Sequence, residues 1–178
     1  MNKSGWRAFA LLLASLAFSG PAPFPIGARY EIAFSPNKGA LDLVLKAIGT
    51  AKTEILVAAY SFTSKPVSLA LLEAHNRGVT SKVVADKKAN GTRYSAASFL
   101  ANQGIPVRLN GMYAIHHHKF LVIDQQTIET GSFNFTASAA NKNAENVLVI
   151  WNTPSLASVY KDEWKRLWDE SVILPKRY

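Results

Sequence analysis

The stretch 117-HHKFLVID-124 holds a run of four apolar residues, 120–123, between polar residues. A short apolar run of this kind predicts a strand buried on both faces, with chemistry at its ends. Side chains alternate between the two faces of a strand, so His117 and Lys119 are expected to point to the same side. The stretch therefore predicts a central strand that places an imidazole beside an ammonium group.

A second segment, 131-GSFN-134, follows the first after six residues. Lys119 supplies positive charge, and Ser132 and Asn134 supply hydrogen bonds, which together suit an oxyanion such as phosphate. Gly131 lets backbone approach a ligand closely. The two segments together predict an oxyanion site.

The polar positions of these segments reproduce the pattern His-x-Lys-x4-Asp-x6-Gly-Ser-x-Asn, which is the signature of the phospholipase D superfamily. The residues that carry it are His117, Lys119, Asp124, Gly131, Ser132 and Asn134. The short chain with one motif copy resembles the EDTA-resistant bacterial endonucleases of the Nuc type. This resemblance implies the phospholipase D/nuclease fold, phosphodiester hydrolysis, and no cofactor or metal.

The resemblance also implies a division of labour. Family members with two motif copies take the nucleophile from one copy and the acid from the other, whereas this chain has one copy, so the resemblance implies a homodimer with a composite site. One His117 would attack phosphorus and form a phosphohistidine, and His117 of the partner subunit would protonate the leaving oxygen. Lys119 and Asn134 of both subunits would cradle the phosphate. Glu145 occupies the position where the family carries an acidic partner for the histidine, and is expected to orient the imidazole.

Asp124 is grouped with the catalytic residues His117, Lys119 and Glu145 because it belongs to the motif. However, five residues of strand separate it from Lys119, roughly 17 Å. Unless the strand bends, Asp124 cannot touch its own His117. We expect it to fix the loop architecture, and we expect Ser132 to secure either the turn or the imidazole.

Strand and helix patterns alternate along the chain, which implies right-handed crossovers. The predicted fold class is α/β, a single domain with a mixed, mainly parallel β-sheet flanked by helices, and its site is expected at the carboxyl ends of strands. Strands are predicted at 30–34, 54–62, 81–86, 107–109, 119–124, 127–130 and 147–151, and helices at 39–51, 66–77, 92–103 and 155–168. The strands 119–124 and 127–130 are expected to form a hairpin.

The segment 86-DKKANGTR-93 is basic and rich in turn residues. One interpretation is a solvated loop. The other is a rim that holds the phosphate backbone of a polyanion without distinguishing its sequence, through Lys87, Lys88 and Arg93.

The N-terminus has the three parts of a secretory signal peptide: Lys3 and Arg7, an uncharged run at 8–18, and small residues at 19–22. We predict a signal peptide over 1–22 and a mature domain over 23–178, with an uncleaved anchor as the alternative. After cleavage no membrane insertion is expected, and by resemblance the protein is secreted to a bacterial periplasm. Without the two basic residues, 20 − 2 = 18 Lys and Arg face 12 acidic residues, a charge of +6.

This composition limits the candidate functions. A basic chain favours polyanionic partners such as nucleic acid or anionic lipid. The absence of cysteine excludes disulfides, thiolate catalysis and cysteine-based metal sites. The run His116-His117-His118 does not predict a metal site, because neighbours on a strand point to opposite faces.

The sequence thus predicts a non-specific, metal-independent endonuclease for single- and double-stranded DNA, with RNA as a further candidate. One alternative is a phospholipase D or phosphatidyltransferase, which would need a broad exposed apolar patch beside the cleft. No surface helix in the sequence is rich enough in apolar residues to supply one. The other alternative is a non-catalytic nucleic-acid-binding protein, which would tolerate His117→Ala.

Overall fold

The structure, a computed structural model, describes residues 20–92 and 95–176. The signal peptide predicted for residues 1–22 therefore lies almost wholly outside the described residues, and so does Arg93. Within them are eight strands and six helices: β1 Arg29–Ser35, α1 Ala40–Gly49, β2 Glu54–Ala59, α2 Lys65–Asn76, β3 Thr80–Asp86, α3 Lys87–Asn90, α4 Ala96–Asn102, β4 Val107–Asn110, β5 Phe120–Ile123, β6 Thr127–Gly131, α5 Ala137–Asn141, β7 Glu145–Trp151, α6 Pro154–Asp169 and β8 Val172–Ile173.

These strands form a single sheet with the order β1-β7-β6-β5-β2-β3-β4-β8. The predicted single mixed sheet flanked by helices is confirmed, but the prediction that it is mainly parallel is wrong. Only β2–β3 and β3–β4 pair in parallel among the described strands, and the other five pairings are antiparallel. A parallel pair needs a crossover of a dozen or more residues, whereas residues 124–126 alone join β5 to β6 and no helix joins β4 to β5.

The two faces of the sheet are covered unequally. Helices α1, α2, α4 and α5 pack on one face and form the larger core. Helix α6 packs on the other face, where Trp164 is buried and its indole N–H donates to the carbonyl of Val57 at 2.9 Å. Trp164 is thus a core anchor of this face, and its ring stacks on that of partly buried Trp168, four residues later on the same helix face. No helix in the described part of the chain is long and apolar enough to cross a membrane.

A buried carboxyl group lies in the middle of this sheet. Glu129 on β6 pairs with Leu121 on β5 and Val149 on β7, and it is 1% exposed. Its Oε2 atom has no hydrogen-bond partner among the described residues. Burial raises the pKa of Glu129 from 4.5 to about 8, because an unpaired charge is costly in an apolar interior. Glu129 is therefore protonated in the folded protein at neutral pH.

We expect Glu129→Gln to remove a pH dependence of stability. Between pH 4.5 and about 8 the unfolded wild-type chain releases the proton of Glu129 while the folded chain keeps it. Wild type should therefore lose stability relative to Glu129→Gln as the pH rises through that range, by about 1.4 kcal/mol per pH unit. Urea unfolding across the range measures the difference, and two parallel stability profiles would contradict it.

Candidate active site

The motif residues other than Asp124 meet at one edge of the sheet, where β2, β3 and β4 end and β5 begins. His117 and Lys119 directly precede β5, whose first residue pairs with Ala58 near the end of β2. Gly131 ends β6 and pairs with Val147 near the start of β7. The site therefore lies at the carboxyl ends of the parallel strands, as predicted from the general rule for open sheets.

His117 and Lys119 share one side of this edge, as the alternation of side chains predicts. Both lie against Tyr60, the residue after β2. The rings of Tyr60 and His117 meet edge to face with centroids 4.6 Å apart. The Nζ atom of Lys119 lies 5.4 Å from the centroid of the Tyr60 ring and donates a hydrogen bond to the carbonyl of His117 at 2.8 Å.

The environment of Lys119 differs from that of His117. Lys119 is 8% exposed, whereas His117 is exposed. Burial lowers the pKa of Lys119, and the nearby charge of Glu145 partly opposes this effect. A cation held in a partly desolvated position acts more strongly on an incoming oxyanion than one in bulk water.

Ser132 and Glu145 form a hydrogen-bonded pair where β6 ends and β7 begins. The Ser132 hydroxyl donates to Oε2 of Glu145 at 2.6 Å and accepts from the backbone N–H of Asn146 at 3.1 Å. The side chain of Asn143 donates to Oε1 of Glu145 at 2.9 Å. Ser132 therefore secures the turn. Neither partner of Glu145 among the described residues is His117, so its orienting role stays a prediction for the assembled site.

Gly131 and Asn134 occupy confined positions near this pair. A Cβ atom at Gly131 would lie 2.2 Å from the carbonyl oxygen of Asn146, so a side chain cannot fit there. The close approach at this glycine is to the neighbouring strand. The Oδ1 atom of Asn134 is buried and has no hydrogen-bond partner in the described part of the chain. This oxygen only accepts hydrogen bonds, so a contact of Asn134 with an oxyanion needs its Nδ2 donor and stays a prediction.

Asp124 lies at the far end of β5 and does not belong to the catalytic group. Its carboxylate accepts hydrogen bonds from the backbone N–H groups of Lys52, Thr53 and Glu54 at 2.9, 2.8 and 2.9 Å. Burial alone would raise its pKa, but these hydrogen bonds outweigh burial and lower it. Its place among the catalytic residues is therefore corrected: Asp124 ties β5 to the segment before β2.

The histidines on either side of His117 have separate partners. His116 is buried, its backbone N–H donates to Asp86 at 2.8 Å, and burial lowers the pKa of its ring to about 4. The ring of His118 is half exposed and lies 3.2 Å from the carboxylate of Glu163 on α6. Residues 20–92 and 95–176 contain no group of three or more His, Asp or Glu side chains that could hold a metal ion.

An open cleft of about 340 Å³ extends from His117 toward α6. Its lining combines the motif with residues of the sheet and of α6: His117, His118, Lys119, Phe120, Thr130, Gly131, Val159, Tyr160 and Glu163. The exposed imidazole of His117 and the ammonium of Lys119 thus meet solvent in a concave space.

The basic segment 86–93 is partly helical, with α3 in place of the predicted loop. The Asp86 side chain caps this short helix by accepting from the N–H of Ala89 at 2.7 Å. Lys87 and Lys88 are exposed, and Nζ of Lys88 donates to the carbonyl of Ala114 at 3.3 Å. The side chain of Lys87 lies next to Gly111, so both lysines lie beside the segment that leads to His117. Arg93, the third predicted contact, lies outside the described residues.

Sequence reasoning missed Tyr60, Asp86 and Asn90. Each stands at or just after the carboxyl end of a parallel strand, which is the signal that could have indicated them. Asn90 is completely buried and donates to the carbonyl of Tyr60 at 2.6 Å. None of the three belongs to the motif. Asp86 and Asn90 hydrogen-bond to the backbone of His116 and Tyr60, and the ring of Tyr60 contacts His117 and Lys119.

A family model described as "Cardiolipin synthase, PLD-like domain" matches residues 44–168. The chain belongs to the phospholipase D superfamily. Members of this superfamily are phosphodiesterases, which makes the chain a hydrolase of that class. The predicted resemblance to the superfamily and to its Nuc type is confirmed.

Curated relatives and a solved structure support this membership. A phospholipase D of Rickettsia bellii is 34% identical over 76% of this chain and 67% of its own length. A mitochondrial cardiolipin hydrolase of Chlamydomonas reinhardtii is 31% identical over 79% of this chain and 63% of its own length. The crystal structure of Nuc from Salmonella typhimurium, a phospholipase D family member, matches with a TM-score of 0.82 and 42% identity, covering 84% of this chain and 99% of Nuc. The chain spans about two thirds of the length of these two curated relatives.

Proposed function

We propose that this protein is an endonuclease that hydrolyses the phosphodiester bonds of single- and double-stranded DNA, and of RNA as a secondary substrate, without a metal ion. The observation that carries the proposal is the open cleft in which exposed His117 meets buried Lys119, with exposed Lys87 and Lys88 at the same edge of the sheet. A nucleic acid would place one phosphodiester against His117 and Lys119 and neighbouring backbone phosphates against Lys87 and Lys88. Cleavage of plasmid DNA in excess EDTA tests the proposal.

The reaction proceeds in two displacements. In the first, one His117 attacks phosphorus, the bond to the leaving oxygen breaks, and His117 of the partner subunit gives that oxygen a proton. In the second, the partner's His117 takes a proton from water, which attacks phosphorus and releases the first histidine. Lys119 and Asn134 of both subunits stabilise the negative charge that develops on the non-bridging oxygens.

The homodimer belongs to this proposal because one imidazole cannot stand on both sides of phosphorus. The face of the sheet that α6 leaves open at β1 and β7 supports it. There Tyr30 and Ile32 are 72% and 54% exposed, and Ile32 pairs with Leu148. Leu148 in turn pairs with Thr130, which lines the cleft, so this apolar face adjoins the site. We propose that a second copy of the chain covers it.

A lipid phosphodiester is the second candidate substrate, and two observations favour it. The relatives named above are a phospholipase D and a cardiolipin hydrolase. In a subunit that no second copy covers, the apolar sheet face beside the cleft is the kind of patch that a lipid-acting enzyme needs, whereas the sequence offers no surface helix that could supply one. Release of headgroups from anionic vesicles, measured beside DNA cleavage, separates the two substrates.

We also propose that residues 1–22 are removed on export and that the mature protein acts in the bacterial periplasm. The supporting observation is the three-part layout of the N-terminus. The N-terminal sequence of protein recovered from a periplasmic extract tests this, with an intact Met1 in the cytoplasmic fraction as the contrary result.

The exposed lysines of α3 are expected to contribute affinity and not chemistry. Lys87→Ala with Lys88→Ala should weaken binding to DNA. The slope of log K against log salt concentration should become less steep by about 1 to 2, because each phosphate contact contributes about 0.9 to that slope. The kcat on a small aryl phosphodiester, which is too short to reach α3, should stay the same. Salt titrations of DNA binding and steady-state kinetics check both statements, and an equal loss on both substrates contradicts them.

A further inference from the structure

Tyr60 contacts both of the groups on which the proposed chemistry depends. Its ring meets the imidazole of His117 edge to face at 4.6 Å and lies under the ammonium of Lys119 at 5.4 Å. Both distances fall in the range where aromatic pairs and cation–π pairs attract. Among the contacts of the described residues, none involves the Tyr60 hydroxyl, so the ring itself makes the contact.

The backbone of Tyr60 is held from the protein interior. The side chain of Asn90 donates to the carbonyls of Tyr60 and Asp86 at 2.6 and 2.9 Å, and its oxygen accepts from the N–H of Phe62 at 3.0 Å. Asp86, four residues earlier, accepts from the N–H of His116 at 2.8 Å. The same turn thus fixes the backbone beneath the ring of Tyr60 and the backbone next to His117.

We propose that Tyr60 is a positioning residue that sets the orientation of the His117 imidazole and its distance from the Lys119 ammonium. The proposal rests on the proposed function. In the described chain the carboxylate of Glu145 is hydrogen-bonded to Ser132 and Asn143, and packing against Tyr60 supplies the constraint on the exposed imidazole. An aromatic ring limits the rotation of a neighbouring ring without a hydrogen bond, and attack on phosphorus depends steeply on that orientation.

Two substitutions separate the ring from the rest of the side chain. Tyr60→Phe keeps the ring, so its kcat on an aryl phosphodiester should stay within about threefold of wild type. Tyr60→Leu removes the ring, so its kcat should fall about 10- to 100-fold while KM changes little, because misplaced groups slow the chemical step. A kcat for Tyr60→Leu equal to wild type overturns the proposal, and so does an equal loss in Tyr60→Phe.

Phe62→Leu is the matched control. Phe62 is fully buried two residues further on, and its ring packs on Phe135 and not on His117 or Lys119. This variant should lose stability of the order expected for a smaller core residue but keep the kcat of wild type. A fall in its kcat equal to that of Tyr60→Leu would show that loss of core packing explains the lower kcat of both variants, and would overturn the positioning role.

A second measurement keeps the test independent of activity. The ring current of Tyr60 shifts the NMR signals of the His117 ring protons, so these signals should stay in place in Tyr60→Phe and move toward free-imidazole positions in Tyr60→Leu. If wild type hydrolyses no phosphodiester, the proposed function fails, but these shifts still test the positioning. Identical His117 signals in all three proteins overturn it.

Discussion

Lys119→Ala is expected to lower kcat for phosphodiester cleavage about 10²- to 10³-fold or more. Lys119 is 8% exposed, so its charge acts where water screens it weakly, and its Nζ atom is fixed by the His117 carbonyl and the Tyr60 ring. The proposed composite site also loses two lysines at once, one from each subunit. Single-turnover cleavage of an aryl phosphodiester measures the effect directly.

The double variant Lys87→Ala with Lys88→Ala is the control for this experiment, because it removes two exposed positive charges outside the cleft. It should keep its kcat on the small substrate. If both proteins lose all activity on that substrate, the division between chemistry at Lys119 and affinity at α3 is wrong. Thermal unfolding of each variant distinguishes a lost charge from a lost fold.

Dimers that combine one wild-type subunit with one His117→Ala subunit are expected to be inactive. The proposed site needs one histidine as nucleophile and the other as acid, so one intact copy supplies half of the machinery. Loss of either half costs about 10⁴-fold or more where two groups act as a unit. Differently tagged subunits, co-expressed and purified in sequence, provide the mixed dimer for kinetic comparison.

The measurement has an internal reference. Mixed dimers of two differently tagged wild-type subunits should retain full activity after the same purification. Mixed dimers with half the wild-type activity would show that each subunit carries a complete site. That result, or an active monomer in sedimentation, would contradict the composite site and leave the metal-free chemistry to be explained within one chain.

The motif predicted the location of the site and the shared side of His117 and Lys119, because both follow from local rules. The apolar run 120–123 forms β5, and Ser132, directly after β6, secures the turn that follows that strand. The elements with strong periodicity, such as α1 and α6, were also predicted to within a few residues. Local sequence determines such features almost alone.

The features that the sequence did not predict depend on contacts between residues that are distant in sequence. Three of the antiparallel pairings, β1 with β7, β2 with β5 and β4 with β8, join segments that are distant in sequence, which the strand pattern of each segment does not reveal. Asp124 belongs to the motif in sequence but contacts residues 52–54 in space. Tyr60 reaches His117, which lies 57 residues later in the sequence, only because β2 and β5 are neighbours. No spacing rule within one segment could predict these three facts.

The sharpest test of the proposed activity is cleavage of plasmid DNA by the mature protein in excess EDTA, with His117→Ala assayed beside it. We expect wild type to cut the plasmid without a metal ion and His117→Ala to leave it intact. A protein that leaves DNA intact but hydrolyses an aryl phosphodiester and releases lipid headgroups from anionic vesicles would contradict the endonuclease proposal. Equal cutting by wild type and His117→Ala would contradict the role of the motif itself.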